Sequence, residues 1–452
     1  MLDLFIQNAD IVGEDRVYRG SIGVKEGKTA LLADAYAQYE AASRVDASGC
    51  YVFPGFIDCH AHLNDPGYTW REDFAHGSSA AATGGVTTII DMPLQNIPAL
   101  TTAGVFLSKE RAIQGRSAVD YCFWGGFIDD NLSDLEALAD AGAVALKAFL
   151  SPVSEGYTSV DTGLARQAMK IAAKRGILLG FHCEDYAIIA REETSAKAEH
   201  RNSRLDYLCS RPVSAELIAT ANILALAEET GAKVHICHVS HPDVAELIKQ
   251  AQSRGVAVTA ETCAHYLVFT ENDLLERGML YKCAPPLRAG EAAERLWRYV
   301  VDGTLCCIGS DHSPAEACEK SEEVHGVFGA WGGISGLQHF VQVFYDHAVN
   351  RRGLSPTLVA RRTAGGPAQV FGLYGKKGAI SPGFDADYVI FDPKARWRIT
   401  RESLLYKNKI SAYIGVEGIG APVATILRGI IVARGGELAA ENIGRLIRKS
   451  DS

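Results

Sequence analysis

Apolar and polar residues alternate in short runs at both ends of the chain. In residues 1–53, runs such as DLFIQNADIV and GSIGVKEGK break at Gly or Asp, a pattern typical of strands joined by turns. The segment from residue 377 onward repeats this pattern in KGAISPGFDADYVIFDP and ATILRGIIVARGGEL. We therefore predict one small β-sandwich domain formed by residues 1–53 together with residues 377–452.

The middle of the chain, residues 54–376, alternates apolar runs with helical patterns. Eight runs fit strands that are buried on both faces: YVFPGFIDCHAHL, VTTIIDMP, VDYCFWGG, AVALKAFL, ILLGFHCED, KVHICHVS, VAVTAETC and LCCIGSDHSP. Most are separated by helical stretches such as HPDVAELIKQAQSRG, which end at Gly. This order predicts an α/β fold, a distorted TIM (β/α)8 barrel. A doubly wound sheet is disfavoured because no G-x-G-x-x-G motif follows the first strand.

Composition and charge exclude several classes of function. The 452 residues carry a formal net charge of −9 without a run of Lys and Arg, which argues against a nucleic-acid partner. No stretch of about 18 uncharged apolar residues predicts a membrane span, and the first residues lack the basic start of a signal peptide. Eleven scattered cysteines are typical of free thiols in a reducing compartment. We expect a cytoplasmic protein.

Two histidines interrupt the first apolar run, GFIDCHAHLND. Side chains alternate along a strand, so His60 and His62 point to one face. Two neutral imidazoles placed this way are able to bind one metal ion, whereas the alternative is a pair of hydrogen-bonded core histidines. The pair alone does not decide between them. Active-site residues of such barrels lie at the carboxyl ends of strands, so the polar residues at the other strand ends become informative.

Further polar residues fall at or near four other strand ends. Lys147 in AVALKAFL is either a lysine that reaches solvent or one made anionic by addition of CO2, since an unpaired buried ammonium is costly. His182 and His238 each end an apolar run. His235 precedes His238 by three residues, which places the two on opposite faces, and we select His238 because it is nearer the strand end. Asp311 needs a partner such as a metal ion, or else caps the next segment.

Together these residues predict a site for two divalent metal ions. Four imidazoles, one carboxylate and one lysine able to carry a carbamate supply enough ligands for two ions, each with a position open to water. The predicted ligands are His60, His62, Lys147, His182, His238 and Asp311. Such ligands suit Zn, Co, Fe, Mn or Ni, and we favour zinc.

These motifs resemble the amidohydrolase superfamily over nearly the whole chain, and within it the cyclic amidohydrolases: dihydroorotase, hydantoinase and allantoinase. PGFIDCHAHLNDPG is similar to the H-x-H motif of the first strand, and Lys147 matches the lysine that is modified to N6-carboxylysine. His182 and His238 match the histidines of strands five and six, and Asp311 the aspartate of strand eight. The resemblance implies a binuclear metal centre with a CO2-derived carbamate on Lys147, and a homotetramer.

Within this group, the segments most similar to allantoinases are HLNDPGYTWREDFAHGSSAAATGGVTTIIDMPLQNIP, CAPPLR, SDHSP, AWGGISGLQ and KISAYIG. Dihydroorotases place an arginine two positions after the second histidine, where this chain has Asn64. Hydantoinases use a tyrosine after the lysine, for which Tyr157 is the candidate, but the surrounding pattern fits less well. The resemblance implies hydrolysis of the cyclic amide of allantoin to allantoate in purine catabolism, by a bridging hydroxide with Asp311 as general base and then acid.

Two other functions stay open at this point. A hydantoinase or dihydropyrimidinase acting on 5-substituted hydantoins shares the chemistry, and a non-catalytic structural relative would be expected to lack ligands that this chain retains. Hydrogen bonds to the small-molecule substrate are expected from the side chains or backbone of Asn64, Asn96, Cys283, Ala284 and Ser313. The sequences NDPG and HSP around two of these are also ordinary turn and cap sequences.

Overall fold

The strands of the described chain form two sheets. The structure is a computed structural model that describes residues 1–153 and 156–449. One sheet contains eight parallel strands in chain order: β6 (Phe56–Ala61), β7 (Val86–Asp91), β8 (Asp120–Gly126), β9 (Ala145–Phe149), β10 (Leu179–His182), β11 (Val234–Ile236), β12 (Val258–Cys263) and β13 (Cys307–Gly309). The other contains β1 (Leu2–Val12), β2 (Val17–Lys25), β3 (Lys28–Ala33), β4 (Ala41–Asp46), β5 (Tyr51–Pro54), β14 (Tyr388–Arg398), β15 (Glu417–Leu427), β16 (Ile430–Arg434) and β17 (Glu437–Leu438).

The eight-stranded sheet curves into a barrel. The N–H of His62 donates to the carbonyl of His312 at 2.8 Å, and the N–H of Ser310 donates to the carboxylate of Asp58 at 3.0 Å, so the first and last strands meet. Every residue of β6, β7 and β8 is buried, which explains why these strands read as continuous apolar runs. The predicted (β/α)8 barrel is confirmed.

Helices connect the barrel strands. The part of the chain that is described contains α1 (Phe74–Thr83), α2 (Ala103–Ile113), α3 (Leu135–Ala141), α4 (Thr162–Arg175), α5 (Tyr186–Ala198), α6 (Arg204–Ser210), α7 (Val213–Thr230), α8 (Pro242–Ser253), α9 (Ala264–Val268), α10 (Glu271–Arg277), α11 (Gly290–Asp302), α12 (Glu322–Gly329), α13 (Phe340–Tyr345), α14 (Pro356–Ala360) and α15 (Gly366–Val370). Helix α4 shows the expected boundaries: the Asp161 side chain accepts from Leu164 N–H at 2.7 Å, and Gly176 ends the helix at φ 66°. In these described segments, no helix is long and apolar enough to cross a bilayer.

Both ends of the chain contribute to the second sheet. Strand β5 pairs in parallel with β1 and antiparallel with β14, with Pro54 opposite Tyr388. One face buries an apolar cluster that includes Ile6, Ile11, Val52, Ile390 and Ile426. A β domain formed from both termini is thus confirmed, and its strands form one continuous mixed sheet. The boundaries after residues 53 and 376 stay predictions.

The C-terminal segment returns from this sheet to the barrel. The N–H of Gly444 donates to the carbonyl of Ser117 at 2.9 Å, and the N–H of Ile447 donates to the carbonyl of Tyr121 at 2.8 Å. A Cβ on Gly444 would lie 1.9 Å from the carbonyl oxygen of Val119, so only glycine fits this approach. The segment therefore extends the pairing of the third barrel strand near its start.

A buried ion cluster joins the barrel to the second sheet. The Nζ atom of Lys377 lies 2.7 Å from Asp120 at the start of β8, 3.0 Å from Asp385 and 2.5 Å from Asp387 just before β14. Burial disfavours the ammonium, but the three carboxylates outweigh it and hold the pKa of Lys377 above its usual range. The guanidinium of Arg428 also contacts Asp120. The cluster fixes the two parts of the chain against each other.

We expect Lys377→Met to lower the free energy of unfolding by about 3–5 kcal/mol, because three buried carboxylates would lose their shared counter-charge. The matched control is Lys28→Met, since Lys28 also pairs with Asp385 (2.6 Å) but is itself 45% exposed. Asp385 keeps its contact with Lys377 in that variant, so we expect a loss of roughly 1 kcal/mol or less. Urea unfolding followed by circular dichroism measures both. Equal losses in the two variants would contradict the role assigned to the buried cluster.

Candidate metal centre

Three of the predicted ligands converge at the carboxyl ends of the first and last barrel strands. His60 lies in β6, His62 directly follows it, and Asp311 follows β13. The Nε2 atoms of His60 and His62 lie 3.3 and 3.4 Å from Oδ1 of Asp311. All three side chains offer a ligand atom within 4.8 Å of the others. They therefore outline one position for a metal ion.

Two further histidines outline a second position. His182 ends β10, and His238 follows β11 by two residues. The Nδ1 atom of His182 lies 3.1 Å from Nε2 of His238, so two ring nitrogens face each other. The ring of His238 also lies 5.2 Å from the ring of His60. The two candidate positions are neighbours in one site.

Lys147 lies in β9 beside these histidines without a counter-charge. Its side chain is fully buried, and its Nζ has no hydrogen-bond partner among the described residues. The nearest aromatic contact of Nζ is the ring of Phe149, at 5.0 Å. An unpaired buried ammonium is strongly unfavourable, whereas a carbamate at the same place would be an anionic ligand for cations. The donor set therefore fits divalent metal ions, which a carboxylated Lys147 would help to hold.

Burial favours the neutral form of most imidazoles in the site. It lowers the pKa of His62 to about 4, and burial together with the charge of Lys147 holds the pKa of His238 well below its usual range. In His60 burial acts in the same direction, but the carboxylates of Glu261 and Asp311 outweigh it and raise the pKa to about 10. Neutral imidazole is the form that binds metals. A cation bound beside Asp311 would therefore replace the proton on Nε2 of His60.

Two buried carboxylates that sequence reasoning missed orient the imidazoles. Glu261 in β12 accepts a hydrogen bond from Nδ1 of His60, and Glu184 lies 2.7 Å from Nε2 of His182. Each bond occupies one ring nitrogen and leaves the other facing the metal position, as is usual for metal-binding histidines. Arg211 in turn donates to Glu184 at 3.1 and 2.7 Å. Glu184 follows the apolar run ILLGFHC and Glu261 lies within the run VAVTAETC, and a charged residue at such a place is the signal that could have identified them.

His235 also lies under the site. Its Nε2 is 3.3 Å from Glu261, and its Nδ1 is 2.8 Å from the hydroxyl of Thr259. Strand β11 ends at Ile236, so the alternation of side chains does not extend to His238. Both histidines consequently reach the barrel interior, and the prediction that they lie on opposite faces was wrong. His235 lies further from the cavity than His238, since its side chain contacts Glu261 and not the candidate ligands.

A cavity of about 380 Å³ opens above the candidate ligands, which is within the range of small-molecule sites. His60, His62, His182, His238 and Asp311 line it, and so do three predicted substrate-contact residues, Cys283, Ala284 and Ser313. The segment of residues 328–333, here called the roof segment, forms another part of the lining.

The remaining predicted contact residues are placed differently. Asn64 is buried at φ 58°, and its side-chain atoms have no hydrogen-bond partner in the described chain. Asn96 donates to the carbonyls of Met92 and Leu94 and accepts from Lys109 at 2.7 Å. Neither lines the cavity, whereas Gln95 does. The hydroxyl of Tyr157 donates to the carbonyl of Lys147 at 2.6 Å, so it supports the lysine strand instead of facing the cavity.

Known proteins of the same overall length resemble this chain. Residues 51–432 match the model of the amidohydrolase family. The allantoinase of Deinococcus radiodurans is 38% identical over 99% of both chains, and that of Rubrobacter xylanophilus is 40% identical over 94% of this chain and 93% of that protein. Among solved structures, the L-hydantoinase (dihydropyrimidinase) from Arthrobacter aurescens has a TM-score of 0.96 at 33% identity, covering 99% of this chain and 100% of that one. A D-hydantoinase has a TM-score of 0.92 at 31% identity, covering 99% and 98%.

We expect Glu261→Gln to weaken metal binding by about 10- to 100-fold, because the amide no longer fixes the charge and tautomer of His60. The measurement is metal content after equilibrium dialysis against a graded series of chelator concentrations. Glu229→Gln is the control, since Glu229 pairs with Arg166 on the surface. Wild-type metal retention by Glu261→Gln would contradict the supporting role of this carboxylate.

Proposed function

The chain belongs to the amidohydrolase family and is a cyclic amide hydrolase, and we propose that it hydrolyses allantoin to allantoate. The observation that carries this proposal is the convergence of His60, His62 and Asp311 at the barrel mouth. The facing pair of His182 and His238 lies beside them. Relatives named allantoinase, 36–40% identical over nearly the whole chain, support allantoin as the substrate.

Six residues would hold the metal ions. His60, His62 and Asp311 would bind one cation, His182 and His238 the other, and a carbamate formed from CO2 on the Nζ of Lys147 would bridge the two. When bound, two divalent cations, with zinc favoured, activate a water molecule as nucleophile and polarise the carbonyl under attack. Lys147 Nζ has no other hydrogen-bond partner in the described part of the chain, which supports this assignment.

Asp311 would carry the proton during the reaction. Its side chain lines the cavity and is 13% exposed, and the surrounding imidazoles outweigh the effect of burial to hold its pKa well below the usual range. The carboxylate accepts a proton from water as the oxygen of that water bonds to the ring carbonyl carbon. The ring C–N bond then breaks, and Asp311 donates the same proton to the leaving nitrogen. The second proton of the water stays on the new carboxyl group and passes to solvent when that group ionises to give allantoate.

Asn64 disfavours dihydroorotate as the substrate. It lies where dihydroorotases have an arginine for the substrate carboxylate, and it is a neutral side chain that does not line the cavity. An anionic substrate would therefore lack its partner at this position. Allantoin is neutral at its ring and at its ureido group, which agrees with this difference.

Hydantoin hydrolysis is the second candidate function. The structures named hydantoinase superpose with TM-scores of 0.92–0.96, and part of the cavity lining is apolar, with Phe149, Pro152, Phe328 and Trp331. These side chains would suit an alkyl or aryl substituent on a hydantoin ring. The two functions share the metal centre and differ in the group attached to the ring.

We expect the metal-loaded protein to hydrolyse allantoin with a kcat/KM at least about tenfold above those for dihydroorotate and a 5-substituted hydantoin, because differential binding of the attached group sets this ratio. One preparation should be assayed with all three compounds, and Asp311→Asn serves as the control for contaminating activity. A higher kcat/KM for the 5-substituted hydantoin would instead establish the second candidate function.

We expect Lys147→Ala to lose metal and activity together, because the bridging ligand is absent. Elemental analysis after gel filtration measures the metal, and a short-chain carboxylic acid added to the variant should restore part of both by occupying the place of the carbamate. Lys170→Ala, which changes an exposed lysine of α4, is the control. Full metal content and activity without added carboxylic acid would contradict the carbamate assignment.

A further inference from the structure

One wall of the cavity carries charged side chains that the proposed reaction does not use. This polar wall consists of Glu193, Tyr207, Arg211 and Lys282, all of which line the cavity. Lys282 and Arg211 are only 3% and 7% exposed. Two cations buried side by side are unfavourable unless carboxylates compensate them. Glu184 compensates Arg211, whereas Lys282 forms no ion pair within the described residues. The polar wall therefore requires an explanation of its own.

Lys282 has one N–H donor for which the described residues offer no acceptor. Its Nζ donates to the carbonyls of Phe328 and Ala330 in the roof segment, at 3.0 and 2.5 Å, and it lies 4.6 Å from the ring of Tyr207. An ammonium has three N–H donors, and no third acceptor is found within residues 1–153 and 156–449. Burial lowers the pKa of Lys282 to about 7, and the charge of Arg211 acts in the same direction.

Arg211 also keeps donors available on this wall. Its Nε and Nη2 donate to Glu184, while Nη1 lies 3.6 Å from Oε1 of Glu193, too far for a direct hydrogen bond. The carboxylate of Glu193 is 24% exposed and otherwise pairs only loosely with Lys197, at 3.5 Å. The wall thus presents unused donors next to a carboxylate that can still accept hydrogen bonds.

We propose that Lys282, Arg211 and Glu193 form a subsite that binds the ureido group of the substrate. This inference rests on the proposed function and adds to it the residues that distinguish allantoin from simpler hydantoins. A ureido group offers one carbonyl oxygen and several N–H donors in a plane. The carbonyl accepts from Lys282 and Arg211, and the terminal N–H groups donate to Glu193.

The same arrangement explains why an alkyl substituent would be disfavoured. An alkyl group would displace water from the polar wall without replacing its hydrogen bonds, so buried donors would stay unpaired. Sites built to hydrogen-bond a substrate reject analogues that lack the group for this reason. The ring itself would sit over the ligand histidines in either case, so the polar wall affects selectivity more than chemistry.

Lys320 provides a control for the structural part of the role of Lys282. It is also buried, and its Nζ donates to the carbonyls of Met279 and Lys282, at 3.1 and 3.3 Å, and of Gly333. It therefore holds the opposite end of the roof segment, but it does not line the cavity. A change at Lys320 loosens the roof segment without removing a donor from the polar wall.

The test compares wild type, Lys282→Met, Glu193→Ala and Lys320→Met, all metal-loaded, on allantoin and 5-methylhydantoin. We expect Lys282→Met to lower the ratio of kcat/KM for allantoin to that for 5-methylhydantoin by about 10- to 100-fold, the range for a lost hydrogen bond to a charged group. The KM for allantoin should account for most of the change. Glu193→Ala, which changes a residue of α5 outside the roof segment, should lower the same ratio. Lys320→Met should leave the ratio unchanged.

Other outcomes overturn the inference in distinguishable ways. If wild type hydrolyses allantoin but Lys282→Met and Glu193→Ala keep the wild-type ratio, the subsite is wrong and the proposed function stands. If Lys320→Met lowers the ratio as much as Lys282→Met does, the effect belongs to the roof segment, and the subsite is again wrong. If wild type hydrolyses 5-methylhydantoin but not allantoin, the proposed function and the subsite both fail.

Discussion

The architecture of the barrel mouth depends on the cost of burying nitrogen atoms away from water. Imidazoles, a lysine and an arginine are packed there with almost no exposed surface, and each needs an acceptor, a counter-charge or a cation. Glu261 and Glu184 meet this need for His60 and His182 on the side away from the cavity. The nitrogen atoms on the cavity side are left for metal ions. The cost of burying unpaired nitrogen atoms, which lowers stability, therefore also determines where the metal ions would bind.

Positive-φ backbone also occurs at the same place. Asn64, Gln95, His238 and Asp311 all have positive φ, between 37° and 58°, which non-glycine residues rarely adopt. Each follows a barrel strand, where the chain turns sharply from the barrel into a loop. Such strain persists only where surrounding contacts outweigh it. At His238 and at Asp311 the chain leaves the direction of its strand, and this turn places both side chains over the barrel mouth.

Periodicity predicted the barrel strands and most of their ends, because a strand buried on both faces is apolar at nearly every position. The candidate ligands were predictable for a related reason: a histidine, lysine or aspartate inside such a run conflicts with its surroundings. Reasoning from alternation failed at His235 and His238, because β11 ends between them. It also could not place Asn96, whose hydrogen bonds to Lys109 and to nearby carbonyls depend on how α2 packs against the loop after β7.

The sequence by itself therefore determined the order of the strands, the β domain shared by both termini and the residue types at the strand ends, because these depend on local patterns of burial. Only the tertiary structure decided which nitrogen of His60 faces the cavity, since that depends on Glu261 from another strand. It also placed Lys282 on one wall with Arg211 and Glu193, which belong to an earlier part of the chain. Their contacts arise from the closure of the barrel and the packing of the roof segment, and no local pattern of residues encodes them.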